Sequence, residues 1–303
     1  MTDLKSEEVF DLLARAADYK AGRAGGGEGP LDGKTVAMIF KKPSTRTRIS
    51  FDVAINKLGG HSLALSGAEL QLGRGETVED TGRVLSRYVD AIVIRTDEHD
   101  EVASLAASAS VPVVNALTDD FHPCQALADL LTINERKADF TKVRLAYIGD
   151  GNNVCHSLIL AASMVGMEIA VGCPNGYEPN ETVLEAAADL RERPGTFTVT
   201  NNPTEAAAGA DFLYTDVWTS MGRDTELDER RKRFAGFQIN AGLLAHAKDD
   251  ALVMHCLPAH RGEEMSAEVM DGPHSIVFDQ AENRLHAQTA LLAFLAGESG
   301  RDV

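Results

Sequence analysis

The sequence predicts an α/β protein built from two doubly wound domains, each with a central parallel sheet. Three observations carry that expectation. Short apolar runs alternate with amphipathic helical runs from residue 35 onward, the pattern of successive βα units. The alternation restarts after Lys142, with no sequence repeat between the halves. The chain has 303 residues, 44% of them hydrophobic, enough for two domains and a sizeable core.

The elements follow in order. Residues 5–20 read as an amphipathic helix with Val9, Leu12, Leu13 and Ala16 on one face. After a glycine-rich connection, strands are predicted near 35–40, 61–65, 91–95 and 111–115, and helices near 44–58, 77–88, 99–109 and 122–137. In the second half, strands near 144–149, 168–172, 197–200, 212–216, 252–256 and 275–278 alternate with helices near 153–166, 181–192, 204–209, 225–234, 239–247 and 266–270. A last helix, 281–297, carries Leu285, Leu291, Leu292 and Leu295. The predicted domains are 1–140 and 141–280, with helix 281–297 packing back onto the first. Open parallel sheets bind ligands at the carboxyl ends of their strands, so an active site is expected in a cleft that both sheets face.

Composition excludes several function classes. The net charge of −17 and pI near 4.9 argue against broad binding to nucleic acid or an anionic membrane, which need a basic face. Any local cluster of arginines therefore attracts an anion against the field of the whole chain. Cys124, Cys155, Cys173 and Cys256 have no paired spacing and read as free thiols of a reducing, cytoplasmic compartment. The N-terminal residues lack a signal-peptide pattern, and no run of 18 apolar residues occurs. The nine histidines form no ligand spacing, so no metal is predicted.

The densest chemistry lies in Ser44-Thr45-Arg46-Thr47-Arg48, between an apolar strand and a helix. Ser44 is a good N-cap, its hydroxyl able to accept a first-turn N–H. Arginines in a first helical turn oppose the helix dipole unless an anion sits there. Free N–H groups, hydroxyls and guanidinium groups together make a phosphate site; a capped helix with solvated arginines is the plainer alternative. Arg95 ends the apolar run Ala91-Ile92-Val93-Ile94 and marks either an exit to solvent or a ligand group at a strand's carboxyl end. His122 and Gln125 flank Pro123 at a helix start, three residues apart on one face. Such an imidazole and amide suit a small planar group with a carbonyl and an amine, although a lone histidine is more often structural.

In the second half, Gly149-Asp150-Gly151-Asn152-Asn153 invites a dinucleotide-binding reading. That reading fails because Val154 occupies the third glycine position and no acidic residue ends the next strand. Asp216 ends another strand, and a buried carboxylate is costly without a cation, so it is expected to bind an amine. Ser220-Met221-Gly222 then reads as a loop able to close over it, or as a turn beside a core Trp218. Cys256, in His255-Cys256-Leu257-Pro258, is by itself a small buried hydrophobe. Gln71, in a polar glycine-rich loop, is by itself an exposed turn residue.

Together, STRTR, HPCQALADLLT, DVWTSMG and HCLPAHRGEE resemble, in order, the motifs of the aspartate/ornithine carbamoyltransferase family, over about residues 35–295. The DxWxSMG and HCLP segments are similar to its ornithine branch. The resemblance implies transfer of the carbamoyl group of carbamoyl phosphate to the δ-amine of L-ornithine, giving L-citrulline and phosphate. Ser44, Thr45, Arg46, Thr47, Gln71, Arg95, His122, Gln125, Cys256, Leu257 and Arg284 match carbamoyl-phosphate contacts. Asn153, Asp216, Ser220 and Met221 match ornithine contacts. Arg46, Arg95, His122, Asp216 and Cys256 match the residues closest to the reaction. It further implies no cofactor, and a homotrimer or multiple of trimers in which the Gln71 loop reaches a neighbouring subunit. A transcarbamylase of putrescine or acetylornithine, or a non-catalytic binder of the same fold, would share the phosphate half only.

Overall fold

The computed structural model describes residues 1–24, 29–67, 75–190, 196–219 and 227–298. It divides into two units, Phe10–Leu131 with Asn283–Val303 and Met1–Val9 with Thr132–Glu282. They are called here the first and second unit.

Apolar runs and their caps build the first unit. Helix α1 (Ser6–Lys20) buries Val9, Leu12, Leu13 and Ala16, the face its periodicity predicts. The unit then alternates β1 (Thr35–Phe40), α2 (Thr45–Lys57), β2 (His61–Ser66), α3 (Val78–Leu85), β3 (Ala91–Arg95), α4 (His99–Ser108), β4 (Val113–Leu117) and α5 (Pro123–Arg136). Its four strands are parallel in the order β2-β1-β3-β4. Central strands of a parallel sheet are covered on both faces, so β1 and β3 are almost continuously hydrophobic and buried. The edge strand β2 is largely exposed instead. The order reverses between β1 and β3, the switch point at which such sheets bind ligands.

The second unit repeats the scheme with β5 (Arg144–Ile148), α6 (Asn153–Val165), β6 (Glu168–Gly172), α7 (Glu181–Asp189), β7 (Phe197–Thr200), α8 (Pro203–Ala207) and β8 (Phe212–Thr215). It continues through α9 (Leu227–Phe234), α10 (Ala241–Leu244), β9 (Leu252–His255) and α11 (Ala267–Met270); α12 (Val277–Glu298) ends the described chain and belongs to the first unit from Asn283 onward. Five parallel strands run β7-β6-β5-β8-β9, with the switch point between β5 and β8. Trp218, Phe234, Phe237 and Ile239 belong to its core. Among the described residues no helix is long and apolar enough to cross a membrane.

Three sequence expectations are corrected. The strand predicted at 275–278 is not one: Ser275 makes a single parallel bridge to Val253, and α12 begins at Val277. β-branched residues favour strands, but here tertiary packing decides: Val277 is buried and the Gln280 side chain accepts the backbone N–H of His255 at 2.8 Å. The strand predicted at 111–115 lies at Val113–Leu117, because Pro112 can donate no ladder hydrogen bond. Ser44 occupies the N-cap of α2 with extended backbone, yet its side chain makes no capping hydrogen bond.

Candidate active site

Strand register assembles the first unit's polar groups. Phe40 of β1 pairs with Arg95 of β3, so Arg95 stands level with the loop that leads into α2. Thr47, in the first turn of α2, is buried, and its hydroxyl oxygen accepts hydrogen bonds from Arg284 Nη2 at 3.1 Å and Arg95 Nη1 at 3.4 Å. Arg284 comes from α12, 237 residues further along the chain, and is 3% exposed. Its neighbour Asn283 accepts from Lys20 of α1 at 2.8 Å, which ties the start of this segment to the first helix.

Pro123 opens α5, so His122 precedes the helix and Gln125 lies in its first turn; both side chains are buried. Gln125 Oε1 accepts from Arg284 Nη1 at 2.7 Å, and Gln125 Nε2 donates to Asp129 Oδ1 at 2.8 Å. Burial, then the positive charges of Arg284, Arg95 and Arg46, hold the His122 pKa well below 6.5. This imidazole is therefore neutral at physiological pH, while three guanidinium groups act on it. Ser44, Thr45 and Arg46 remain more open to solvent at the N-terminus of α2. The arrangement suits a phosphate, with a neutral polar group beside it.

In the second unit, Gly151 precedes α6 at a close backbone approach, where a Cβ atom would meet Pro179 N at 2.3 Å. Asn152 then caps the helix, its Oδ1 accepting from Val154 N and Cys155 N. The Tyr147 hydroxyl also donates to that oxygen at 3.2 Å, leaving Asn152 Nδ2 to donate to Asp216 Oδ2 at 2.8 Å. Thr215 of β8 pairs with His255 of β9, so Asp216 and Cys256 leave the sheet side by side. Cys256 Sγ donates to Asp216 Oδ1 at 2.9 Å. Asp216 is 8% exposed and accepts from Asn152, Cys256 and Val217 N, but among the described residues it has no cation.

Two further contacts shape the loops around Asp216. Arg230 donates to Asp150 Oδ2 and to the Trp218 carbonyl, each at 2.6 Å, and lies over the Tyr177 ring at 5.0 Å. His255 Nδ1 accepts from Leu257 N at 2.9 Å, and its Nε2 lies 3.2 Å from the buried Glu264 carboxylate. Leu257, at φ 58°, is the one non-glycine residue in the left-handed region among the described residues. Such outliers persist where the surroundings over-determine them.

The structure thus brings Thr47, Arg95, Gln125 and Arg284 into hydrogen-bond contact, with His122 in the field of Arg46, Arg95 and Arg284. It also joins Asp216 to Cys256, while Asn153 starts α6 directly after the cap. Gln71, Ser220 and Met221 lie outside the described residues. Sequence reasoning missed Asn152, Asp129, Arg230 and Glu264. Asn152 carried a visible N-cap signal, but its link to Asp216 spans 64 residues. It also missed that Asp216, His255 and Cys256 place metal-ligand atoms within 4.8 Å of one another. Both ring nitrogens of His255 are, however, already engaged by Leu257 N and Glu264. A cavity of about 440 Å³, lined by Leu244, Lys248, Glu268, Val269 and His274, contains none of these groups. Sharing no residue with either polar cluster, it is not the candidate site.

Each unit is a parallel α/β sheet with polar groups at its switch point, guanidinium groups in the first and a carboxylate in the second, the architecture of a ligand-binding α/β enzyme. The comparisons specify which. Residues 1–135 match the carbamoyl-P binding domain of aspartate/ornithine carbamoyltransferase, and residues 141–295 match its Asp/Orn binding domain. The chain belongs to the aspartate/ornithine carbamoyltransferase family. It is 56% identical over 297 residues to an ornithine carbamoyltransferase of Anoxybacillus flavithermus, covering 97% of this chain and 95% of the relative. The solved structure of ornithine carbamoyltransferase from Pyrococcus furiosus superposes with a TM-score of 0.93 at 52% identity, covering 97% and 95% of the two chains. That from Giardia lamblia gives 0.88 at 33% identity, covering 97% and 95%.

Proposed function

We propose that this protein transfers the carbamoyl group of carbamoyl phosphate to the δ-amine of L-ornithine, giving L-citrulline and phosphate. The observation that carries the amine half is Asp216, a buried carboxylate held by three hydrogen-bond donors and by no cation among the described residues. A non-catalytic anion binder has no use for such a group, whereas an amino-acid substrate supplies the missing charge.

The roles follow from the chemistry. The neutral δ-amine attacks the carbamoyl carbon, negative charge builds on the carbonyl oxygen, the bond from carbon to the phosphate oxygen breaks, and the proton released by the amine ends on the departing phosphate. Ser44, Thr45, Arg46 and Thr47 cradle the phosphate at the start of α2. Arg95, Arg284 and neutral His122 stabilise the developing oxyanion and the leaving group, as preorganised donors do. Gln125 orients the carbamoyl amide and, by family membership, so does the Cys256–Leu257 backbone; Asn153 and Asp216 hold the α-amino and carboxylate end of ornithine. Roles for Gln71 at the phosphate and for Ser220 and Met221 at ornithine rest on family membership. The mixed anhydride is already activated, so this reaction uses no cofactor. A pH optimum above neutral is expected, since only the unprotonated amine attacks.

The functional assembly in this reading is a homotrimer or multiple of trimers. Family membership is what supports that assembly. A solution mass three times 32.5 kDa, or a multiple of that, is the expected result. Four free cysteines support a reducing, cytoplasmic setting.

The test is citrulline-type product formation from carbamoyl phosphate with ornithine, putrescine, acetylornithine and aspartate in parallel. Turnover with ornithine, abolished by Asp216→Ala, is the expected result. Preference for another amine overturns the acceptor assignment. Turnover with ornithine that survives Asp216→Ala removes Asp216 from it.

A further inference from the structure

Asp129 is fully buried on α5, one turn after Gln125, and the reaction described above assigns it no role. Its Oδ1 accepts from Gln125 Nε2 at 2.8 Å. The other end of the same amide, Oε1, accepts from Arg284 Nη1 at 2.7 Å. A carboxylate accepts and a guanidinium only donates. The two contacts therefore settle which end of the amide is which: NH₂ toward Asp129, carbonyl toward Arg284. Arg284 also donates to Thr47, which Arg95 reaches as well, so the Gln125 carbonyl lies on the side of the cationic cluster. It has a second lone pair for a donor arriving there.

Arg284 alone cannot guarantee that orientation, because a bound phosphate competes for the same guanidinium. Asp129 Oδ1 is an acceptor, as a phosphate oxygen is, so a bound phosphate does not draw it away from Gln125. We propose that Asp129 is a positioning residue that fixes the donor–acceptor polarity of Gln125. The anion site thereby selects a ligand with an N–H beside its phosphate, a carbamoyl group rather than an acyl group. This inference rests on the carbamoyl-phosphate reading and deepens it.

Two stable probes isolate the N–H: phosphonoacetamide and 2-oxopropylphosphonate, which differ by NH₂ against CH₃. Their affinities for the full chain are measured by calorimetry for the wild type, Asp129→Leu, Asp129→Ala and Asp129→Asn. The wild type is expected to prefer the amide by about 10- to 100-fold, since the ketone leaves a buried acceptor unmet. In Asp129→Leu the preference is expected to collapse to within about threefold while ketone affinity stays nearly unchanged. Asp129→Ala carries the same expectation where the leucine variant does not fold. Asp129→Asn, whose Oδ1 can still accept from Gln125, is expected to keep most of the preference. A general loss of structure would weaken both probes and leave their ratio intact. That ratio surviving in the leucine or alanine variant overturns the role of Asp129, and its collapse in the asparagine variant overturns the hydrogen-bond basis. A wild type that does not discriminate overturns the carbamoyl-phosphate reading instead.

Discussion

Asn152→Ala removes the helix cap, the hydrogen bond to Asp216 and a longer one from the Tyr147 hydroxyl, and the first two set the size of the effect. Asn152 Oδ1 caps α6 through Val154 N and Cys155 N, a function whose loss to alanine costs about 1 kcal/mol. Asn152 Nδ2 donates to the buried Asp216 carboxylate at 2.8 Å, and a hydrogen bond to a charged group contributes about 1.5–3 kcal/mol. The expected destabilisation is their sum, about 2.5–4 kcal/mol. Urea unfolding of the wild type, Asn152→Ala, Asp216→Ala and the double variant separates the two parts. In that cycle the Asp216 component appears as a coupling energy of about 1.5–3 kcal/mol, while the cap component remains in either background. Asn152→Asp completes the argument, because it keeps the capping oxygen but sets a second carboxylate against Asp216. Its loss relative to wild type is expected to shrink as falling pH protonates one of the pair. A coupling energy below about 0.5 kcal/mol would falsify the claim that Asn152 holds Asp216 in place.

The remaining expectations are narrower. His122 has a folded-state pKa below its ordinary 6.5, through burial and three nearby arginines. Below pH 6.5 the unfolded chain binds this proton before the folded protein does, so stability is complete above 6.5 and erodes as the pH falls. Replacing His122 by Gln is expected to flatten the stability slope between pH 6.5 and 5 by up to one proton, about 1.4 kcal/mol per pH unit, and parallel slopes for the two proteins would refute it. Arg230→Met leaves Asp150 without its guanidinium and frees the Trp218 carbonyl, for an expected loss of about 3–5 kcal/mol. Adding Asp150→Ala should restore part of that loss in urea unfolding; a double variant no more stable than the single one excludes the buried pair as the cause.

Local signals reached some features and not others. The periodicity of 5–20 and the proline at 123 are short-range facts, written in adjacent residues. Their reading held because an amphipathic face and a first-turn proline depend only on neighbours three or four positions away. The run at 275–278 misled for the same reason: its β-branched residues favour a strand, while contacts with β9 start a helix there. Ser44 shows a smaller version of this, a capping residue in the right place whose side chain makes no cap bond.

By itself, the sequence determined the α/β class, the alternation of strands and helices, and the motifs that place the chain in its family. Each of these depends on residue types at fixed local spacing. Only the tertiary structure decided which groups meet. Arg284 reaches Thr47 across 237 residues and Asn152 reaches Asp216 across 64, and no local pattern encodes either distance. Strand order and register made those contacts. Placing β1 beside β3, and β8 between β5 and β9, brings the ends of strands far apart in the chain to neighbouring positions. Burial then fixed the charge states. Burial, then the charges of three guanidinium groups, hold the His122 pKa below its ordinary value, and that environment exists only once the chain has folded.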